Sequence, residues 1–247
     1  MMKMNKLILL LTVLVTGLFF SSCIGDGSRD YTETSVAYIA VDNTTGKTFA
    51  RTLTGKFIIA NEMLLMQPGS FKFFTYSWNE DNGTTPIGDI QADNVIISGE
   101  TIDIDRKSLY MTETPVQEGH ESFVAIDPPY YVNNKEYLGD HWLFQYAYEA
   151  KKGETAIVDF YTIGDTEVGE NKVTIDIQLT ITGVPETGSF TTTTTDIIAL
   201  DMAPIRALFE GTSQTNTKDL QITFQYYLKG YQEPVLSQIN RLTVAGN

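Results

Sequence analysis

The stretch Val173-Thr174-Ile175-Asp176-Ile177-Gln178-Leu179-Thr180-Ile181 alternates strictly between apolar and polar side chains. Successive side chains of a β-strand point to opposite faces, so a period of two predicts a strand with one buried and one solvated face. Ile222-Thr223-Phe224-Gln225-Tyr226 repeats the pattern. Turn signals such as Lys151-Lys152-Gly153 separate these and other short segments of the same kind. The sequence therefore predicts an all-β protein.

The composition and a single helical segment complete this prediction. The chain of 247 residues has 13 Tyr and 13 Phe, residue types that favour strands. Residues 201–211 are the exception, because they begin with an N-cap candidate, Asp201, have an early proline, Pro204, and end with a glycine, Gly211. We expect a helix of one or two turns there, joining two strands.

A polar break around residues 105–117 divides the chain into two pieces of ordinary domain size. Residues 34–108 carry enough strand candidates for a small β-barrel of the OB type. Residues 109–247 carry enough for an immunoglobulin-like β-sandwich. The sequence therefore predicts two all-β domains.

The first 22 residues have the layout of a secretory signal peptide. Lys3 and Lys6 precede an apolar run over residues 7–20, which is too short to span a membrane stably. Two serines and the only cysteine, Cys23, follow. We expect residues 1–22 to be removed on export and residues 23–33 to form a short tether.

This leader resembles a bacterial lipoprotein signal, in which the cysteine becomes the new N-terminus and carries the lipid. The resemblance implies that Cys23 is acylated, with palmitate as a typical chain. One acyl chain holds only marginally, because each buried CH₂ contributes about 0.8 kcal/mol, so a stable anchor needs two or more chains. The alternative is a plain signal peptide or a short anchor.

The charge of the chain argues against nucleic acid as a partner. The formal net charge is −14, from 17 basic and 31 acidic residues. Loss of Lys3 and Lys6 with the leader leaves 15 basic and 31 acidic residues, a net charge of −16. A surface of this sign repels phosphate backbones and anionic lipid headgroups. We expect membrane attachment through the lipid alone and no binding of nucleic acid.

Two stretches of the second piece resemble segments of the NigD-like lipoproteins of Bacteroidetes. They are Tyr137-Leu138-Gly139-Asp140-His141-Trp142-Leu143-Phe144-Gln145-Tyr146 and Leu200-Asp201-Met202-Ala203-Pro204-Ile205. The order of leader, small barrel and sandwich is also similar to the organisation of that family. The resemblance implies a lipoprotein of the outer membrane or cell surface and supplies no catalytic residues. Whether the protein faces the periplasm or the exterior stays open at this point.

Residues suited to catalysis or metal binding are sparse. The two histidines, His120 and His141, lack the spacing of a zinc site, and no Gly-x-Ser-x-Gly elbow occurs. Asp103 and Asp105 share one face of a predicted strand and could bind Ca²⁺ or act as paired carboxylates, but the glycine and glutamate of a calcium loop are missing. We therefore expect no metal, no cofactor and no enzymatic activity.

Aromatic side chains offer the strongest indication of a binding surface. The predicted strand from residue 142 places Trp142 and Tyr146 on one face, and Tyr130, Tyr131 and Tyr137 precede it in a loop. Exposed aromatic rings with nearby polar groups could stack on sugars or contact a protein. The alternative is that the strand aromatics pack between two sheets, which is more common.

These observations favour a non-enzymatic cell-envelope lipoprotein that binds a protein partner or an extracellular ligand. A carbohydrate-binding or carbohydrate-active protein is the second hypothesis and requires carboxyl groups that converge in a cleft. A structural surface or fimbrial subunit is the third and requires an open sheet edge or groove for strand addition.

Overall fold

The computed structural model describes residues 30–115, 120–163, 171–211 and 216–246. Cys23, the predicted signal peptide and residues 23–29 of the predicted tether lie outside this part of the chain. The described residues form an all-β structure with a mixed sheet and one short α-helix, which confirms the all-β part of the predicted fold. They separate into two compact units: residues 30–105 with 136–139 form unit 1, and the others form unit 2.

Unit 1 consists of short strands with two 3₁₀ turns. Its elements are β1 (Tyr31–Val41), β2 (Thr48–Thr52), β3 (Phe57–Ile59), η1 (Asn61–Leu65), β4 (Phe71–Trp78), η2 (Glu80–Asn82), β5 (Thr84–Ile87), β6 (Ile90–Asn94) and the first part of β7 (Ile96–Tyr110). The strand order is β7-β4-β1-β2-β3-β6-β5. All of these pairs are antiparallel except β3–β6, which is parallel.

The long strand β1 organises unit 1 because it pairs along its length with two partners. Tyr31–Tyr38 pair with β4, and Ala37–Val41 pair with β2. Tyr31, predicted to lie in the tether, belongs to this strand: its ring stacks on Trp78 at 5.8 Å, and its hydroxyl donates to Asp93 Oδ2 at 2.7 Å. Strand β1 thus includes Tyr31, Thr32 and Glu33, the last three residues of the predicted tether.

A separate segment, residues 136–139, packs on unit 1. The Tyr137 hydroxyl donates to the Thr52 carbonyl at 2.9 Å, and its ring meets Phe57 edge-on at 5.9 Å. Gly139 has a φ of +59°, and a Cβ there would lie 2.4 Å from the Tyr38 hydroxyl oxygen. Only glycine fits this position, because both the backbone conformation and the close approach exclude a side chain.

Unit 2 contains two sheets and the helix. Its elements after the last part of β7 are β8 (Ala125–Ile126), β9 (His141–Ala150), β10 (Glu154–Ile163), β11 (Lys172–Gly183), β12 (Thr192–Asp201), α1 (Ala203–Phe209), β13 (Thr217–Tyr226), β14 (Val235–Leu236) and β15 (Asn240–Ala245). Strands β8, β9 and β12 form what we call the β9 sheet. The end of β7 with β10, β11, β13, β14 and β15 forms the β11 sheet, in which the pairs β7–β10 and β11–β13 are parallel.

The core of unit 2 lies between these two sheets. Phe144 of the β9 sheet packs against Phe160 at 5.5 Å and Phe224 at 4.8 Å, both from the β11 sheet. Val173, Ile175, Ile177 and Leu179 of β11 all enter this core, as their alternation predicts. Burial of such side chains contributes about 1.5–3 kcal/mol each, which makes this layer the main stabilising contact of the unit.

A buried ion pair and a backbone hydrogen bond hold Asp140 beside helix α1. Arg206 of α1 donates from Nε and Nη2 to both carboxylate oxygens of Asp140, at 2.7 and 2.8 Å. The Met202 backbone N–H also donates to the Asp140 carbonyl at 2.9 Å. The Arg206 and Asp140 side chains are 7% and 10% exposed, so the bidentate pair is largely removed from water.

Among the residues that the structure describes, no helix has the length and apolar character needed to cross a membrane.

Candidate functional site

The strand aromatics proposed as a binding surface are core residues. Trp142 is 1% exposed and Tyr146 is 6% exposed. Trp142 packs on Phe224 at 5.8 Å, and Tyr146 meets Phe123 edge-on at 5.7 Å. Their surface role is corrected to packing, because the face of β9 that carries them is covered by the β11 sheet.

Tyr131 and its loop cover a strand edge of unit 2. The Tyr131 ring stacks on Trp142 at 4.0 Å, and its hydroxyl oxygen accepts the Arg241 backbone N–H at 3.1 Å. Asn133 Oδ1 accepts the Thr243 backbone N–H at 3.2 Å. Both N–H groups belong to β15, on the side away from β13. The loop therefore occupies hydrogen-bonding groups that an added strand would use.

The other two tyrosines belong to different units. Tyr130, on unit 2, pairs through its backbone with Leu143, and its side chain is 40% exposed. Burial of part of the ring raises the pKa of the Tyr130 phenol. Tyr137 belongs to unit 1, where its packing has been described. Of the five aromatic residues, Tyr130 retains the exposure that a contact surface needs, and its role stays a prediction.

The carboxylates and histidines considered for metal binding are dispersed. Asp103 of β7 forms an ion pair with Lys72, its cross-strand neighbour on β4. His141 begins β9, whereas His120 lies in the segment before β8. Within residues 30–246, apart from the stretches that the structure does not describe, no group of three or more His, Cys, Asp or Glu could hold a metal ion.

A cavity on the outer face of the β11 sheet is the candidate site. It measures about 160 Å³ and is lined by Thr114, His120, Glu121, Asp176, Ile177, Gln178, Leu179 and Tyr227. We call it the Asp176 pocket. An apolar cavity of about 150 Å³ admits a benzene ring, so the pocket has room for a group of that size.

The alternation of side chains along β11 determines which of its residues form the base of the Asp176 pocket. Residues Ile175 and Ile177 point into the core, so Asp176 and Gln178 point to the opposite face. Gln225 of β13 lies beside Asp176 in the parallel register. A polar stripe across two strands therefore forms the base of the pocket.

Two other segments form the walls. Glu121 makes a bridge with Leu179 of β11. The Phe123 backbone N–H donates to the Tyr227 carbonyl at 2.9 Å, which holds the segment from residue 120 beside the end of β13. As a result, the His120 ring stacks on the Tyr227 ring, with 3.5 Å between centroids and 15° between planes.

Asp176 is an unusual residue for this position, because its side chain is buried and only 6% exposed. Gln178 Nε2 donates to Asp176 Oδ2 at 3.3 Å, and Gln225 and Thr114 also act on the carboxylate. Burial raises the pKa of Asp176, and these hydrogen-bonding groups offset part of the effect. In the described part of the chain, no lysine or arginine forms an ion pair with this carboxylate.

Thr114 is a second polar residue of the lining, and its hydroxyl oxygen can accept a further hydrogen bond. Thr114 Oγ1 is buried and has no partner of regular hydrogen-bond geometry. An unsatisfied buried hydroxyl costs roughly 1–3 kcal/mol, and such groups in native proteins commonly mark a site for a water or a ligand. The pocket can therefore accept hydrogen bonds from a small polar group that enters it.

Sequence reasoning missed Asp176, although the residue stands in the stretch that predicts the fold. An aspartate in the middle of an apolar alternation was interpreted as part of a solvated face. The available signal was the neighbouring Gln178 and Gln225 at matching positions of two strands. Thr114, His120 and Glu121 line the pocket on that face, and the local pattern does not reveal their position there.

No protein-family model matches the sequence, and no curated protein matches it. Solved structures share its fold. A protein of unknown function, DUF1344, from Bacteroides vulgatus aligns over 85% of this chain and 90% of its own, with a TM-score of 0.57 and 10% identity. A candidate lipoprotein from Bacteroides fragilis aligns over 86% of this chain and 97% of its own, with a TM-score of 0.56 and 9% identity.

The solved structures that resemble this chain also include a NigD-like immunity protein from Bacteroides caccae. It aligns over 84% of this chain and 91% of its own, with a TM-score of 0.48 and 8% identity. The structural neighbours thus include a NigD-like immunity protein and a candidate lipoprotein, both from Bacteroides and both at low sequence identity.

Proposed function

We propose that the protein is a non-enzymatic lipoprotein of the cell envelope that binds a protein partner or an extracellular ligand through the Asp176 pocket. The observation that carries the proposal is the buried carboxylate of Asp176 in an open cavity, with no cation of the described chain paired to it. A buried charge destabilises the folded protein unless an opposite charge is paired with it. A buried carboxylate without an ion-pair partner at a cavity is therefore a candidate for binding a ligand.

The envelope location rests on the leader. Cys23 follows an apolar segment and would carry the lipid, with the outer membrane as the site of attachment. The shared fold with a candidate lipoprotein of Bacteroides fragilis is consistent with this location. The acidic surface supports attachment through lipid rather than through charge, because anionic headgroups repel it.

Unit 1 has several pairings typical of an OB-like barrel, and we assign residues 34–108 to such a domain. Strand β1 pairs with both β4 and β2, β3 and β6 run parallel, and η1 lies between β3 and β4. We assign residues 109–247 to a β-sandwich domain of immunoglobulin-like type, supported by two facing sheets around a buried Trp142. Its parallel β11–β13 pair differs from the antiparallel pairing of immunoglobulin sheets.

A carbohydrate-active enzyme is the second candidate, because two carboxylates, Asp176 and Glu121, line the same pocket. Asp176 is buried with a raised pKa, while Glu121 is exposed. Carboxyl groups in such different environments can act as acid and base in glycoside hydrolysis. A hydrolysis screen with the native protein and the Asp176→Asn variant tests this: activity that the variant loses would replace the binding hypothesis.

The third hypothesis, a fimbrial subunit, is less favoured for unit 2. Strand addition needs free backbone groups at a sheet edge, and side chains of Tyr131 and Asn133 occupy two N–H groups of β15.

The binding hypothesis is tested by capture from the native membrane in mild detergent, read by mass spectrometry. The lipidated protein, its Asp176→Asn variant and the control Asp127→Asn are compared. Asp127 is an exposed aspartate beside β8, on the other sheet of unit 2, so it matches the charge change away from the pocket. We expect a stoichiometric component that Asp176→Asn loses and Asp127→Asn retains. Equal capture by all three would remove the pocket from the proposal.

A further inference from the structure

We propose that the Asp176 pocket binds an alkylammonium or guanidinium group, either of a free small molecule or of a lysine or arginine side chain of a partner. This inference rests on the proposed binding function and specifies the chemistry of its ligand. The decisive feature is the pair of carboxylates around the cavity, one of which is buried and forms no ion pair with a described lysine or arginine.

The charges of the lining come from two carboxylates. Asp176 is at the floor and Glu121 is on the wall, and no lysine or arginine is among the lining residues. Lys107, the cation on the neighbouring end of β7, is paired with Asp159 at 3.1 Å. A cation that enters the pocket therefore meets uncompensated negative charge in a partly desolvated place, where electrostatic attraction is stronger than in water.

The two carboxylates of the pocket also match the hydrogen-bonding properties of a cation. An ionised carboxylate only accepts hydrogen bonds, whereas ammonium and guanidinium groups only donate them. The Thr114 hydroxyl oxygen, buried without a regular partner, offers a further acceptor. Asp176 and Glu121 are two carboxylates that a cation neutralises and a neutral sugar does not.

The aromatic wall suits the same ligand. His120 and Tyr227 stack on each other and both line the cavity. Cations are attracted to the face of a tyrosine ring, and the apolar stem of an alkylammonium gains from contact with the ring. The volume of about 160 Å³ accommodates the end of a lysine or arginine side chain.

The burial of Asp176 shows why the ligand should stabilise the protein. Burial raises the pKa of this carboxyl, so the ionised form is disfavoured in the unliganded protein. A bound cation compensates the charge and makes a charge-assisted hydrogen bond to it. The bound cation thus supplies a charge that no lysine or arginine of the described chain brings to Asp176.

The test uses the mature lipidated protein in mild detergent at pH 7.5 or a similar value above neutrality. The probes are n-butylammonium and n-butylguanidinium, with n-butanol and n-butylurea as neutral analogues of the same shape. The maximal binding free energy per heavy atom limits n-butylammonium, with about five heavy atoms, to roughly micromolar affinity, so the calorimetric titrations extend into the millimolar range. Amide chemical shifts of Gln178 and Tyr227 report whether the probe enters this pocket.

We expect both cations to bind and to shift these amides, and both neutral analogues to bind at least about tenfold more weakly. The Asp176→Asn variant should lose about tenfold or more in affinity, while Asp127→Asn should keep the native value. Equal binding of neutral and charged probes, or native affinity in Asp176→Asn, would overturn the inference. Circular dichroism of the variant excludes unfolding as the cause of a loss.

The source of the cation is resolved by competition. If a partner captured from the membrane is released by n-butylammonium but not by n-butanol, its lysine or arginine occupies the pocket. If the probes bind and the capture yields no Asp176-dependent partner, the ligand is a free amine or guanidine. If capture of a partner requires Asp176 but no cationic probe binds, the proposed binding function stands and the proposed class of ligand is wrong.

Discussion

At the scale of single residues, the ionised carboxylate of Asp176 lowers the stability of the folded protein, and it lines a cavity. Burial raises its pKa, so the native state keeps the proton to a higher pH than the unfolded chain does. The stability that the protonated form provides is present at low pH. It is lost as the pH rises from the unfolded value, about 3.9, through the raised native value.

The Asp176→Asn variant should therefore be more stable than the native protein at pH 7, by roughly 0.5–2 kcal/mol, as is common when a costly functional group is replaced. The gain should shrink toward zero as the pH falls below about 4, where the native carboxyl is protonated. Urea unfolding at a series of pH values measures this difference. A variant that is less stable at pH 7 would mean that the carboxylate is structurally required.

Asp140 and Arg206 are the opposite case, because each charge compensates the other. The Asp140→Ala variant leaves the Arg206 guanidinium buried without its partner, and we expect a loss of about 3–5 kcal/mol. Adding Arg206→Met should recover part of the loss, because the unpaired charge is then removed. The exposed pair Lys152–Glu186 is the control, and Glu186→Ala should cost less than about 1 kcal/mol. Equal losses for both pairs in urea unfolding would contradict this.

At the scale of elements, β15 shows how a sheet edge is protected by side chains from a distant loop. Tyr131 and Asn133 accept the N–H groups of Arg241 and Thr243, and Arg206 Nη1 donates to the Thr243 carbonyl at 2.8 Å. An edge with free N–H and C=O groups is a template for pairing with another chain. The loop therefore prevents association while the Tyr131 ring covers Trp142.

Combining Tyr131→Phe with Asn133→Ala should increase self-association while lowering stability by only about 1 kcal/mol. The phenylalanine keeps the stack on Trp142, so the change is confined to the two acceptors, and water can replace them at an exposed edge. Light scattering over a range of concentrations measures the association. Tyr231→Phe, at a tyrosine that is 62% exposed, is the control. A double variant with native scattering would show that the edge is protected by other means.

At the scale of the whole molecule, the proposed location depends on one atom, the sulfur of Cys23. The Cys23→Ser variant should lose the lipid and move from the detergent-rich to the aqueous phase in phase partitioning, because the acidic surface offers no alternative attraction to an anionic membrane. Labelling with a palmitate analogue gives an independent measurement. A variant that still partitions with detergent would identify the uncleaved leader as the anchor.

The sequence by itself determined the local properties of this protein. The alternation over residues 173–181 predicted which side chains of β11 enter the core, because a strand's period of two is set by the backbone alone. The signals in residues 201–211 predicted the helix found at Ala203–Phe209. Charge, the single cysteine and the leader are likewise properties of composition and order.

Only the tertiary structure decided which polar groups are buried and which aromatic residues are covered. Trp142 and Tyr146 became core residues because the β11 sheet lies against their face. Asp176 became a pocket floor because Thr114, His120 and Glu121, more than 50 positions earlier, line the face that its own strand leaves polar. These contacts join residues far apart in the chain, and local periodicity contains no information about which distant segment will cover a given face.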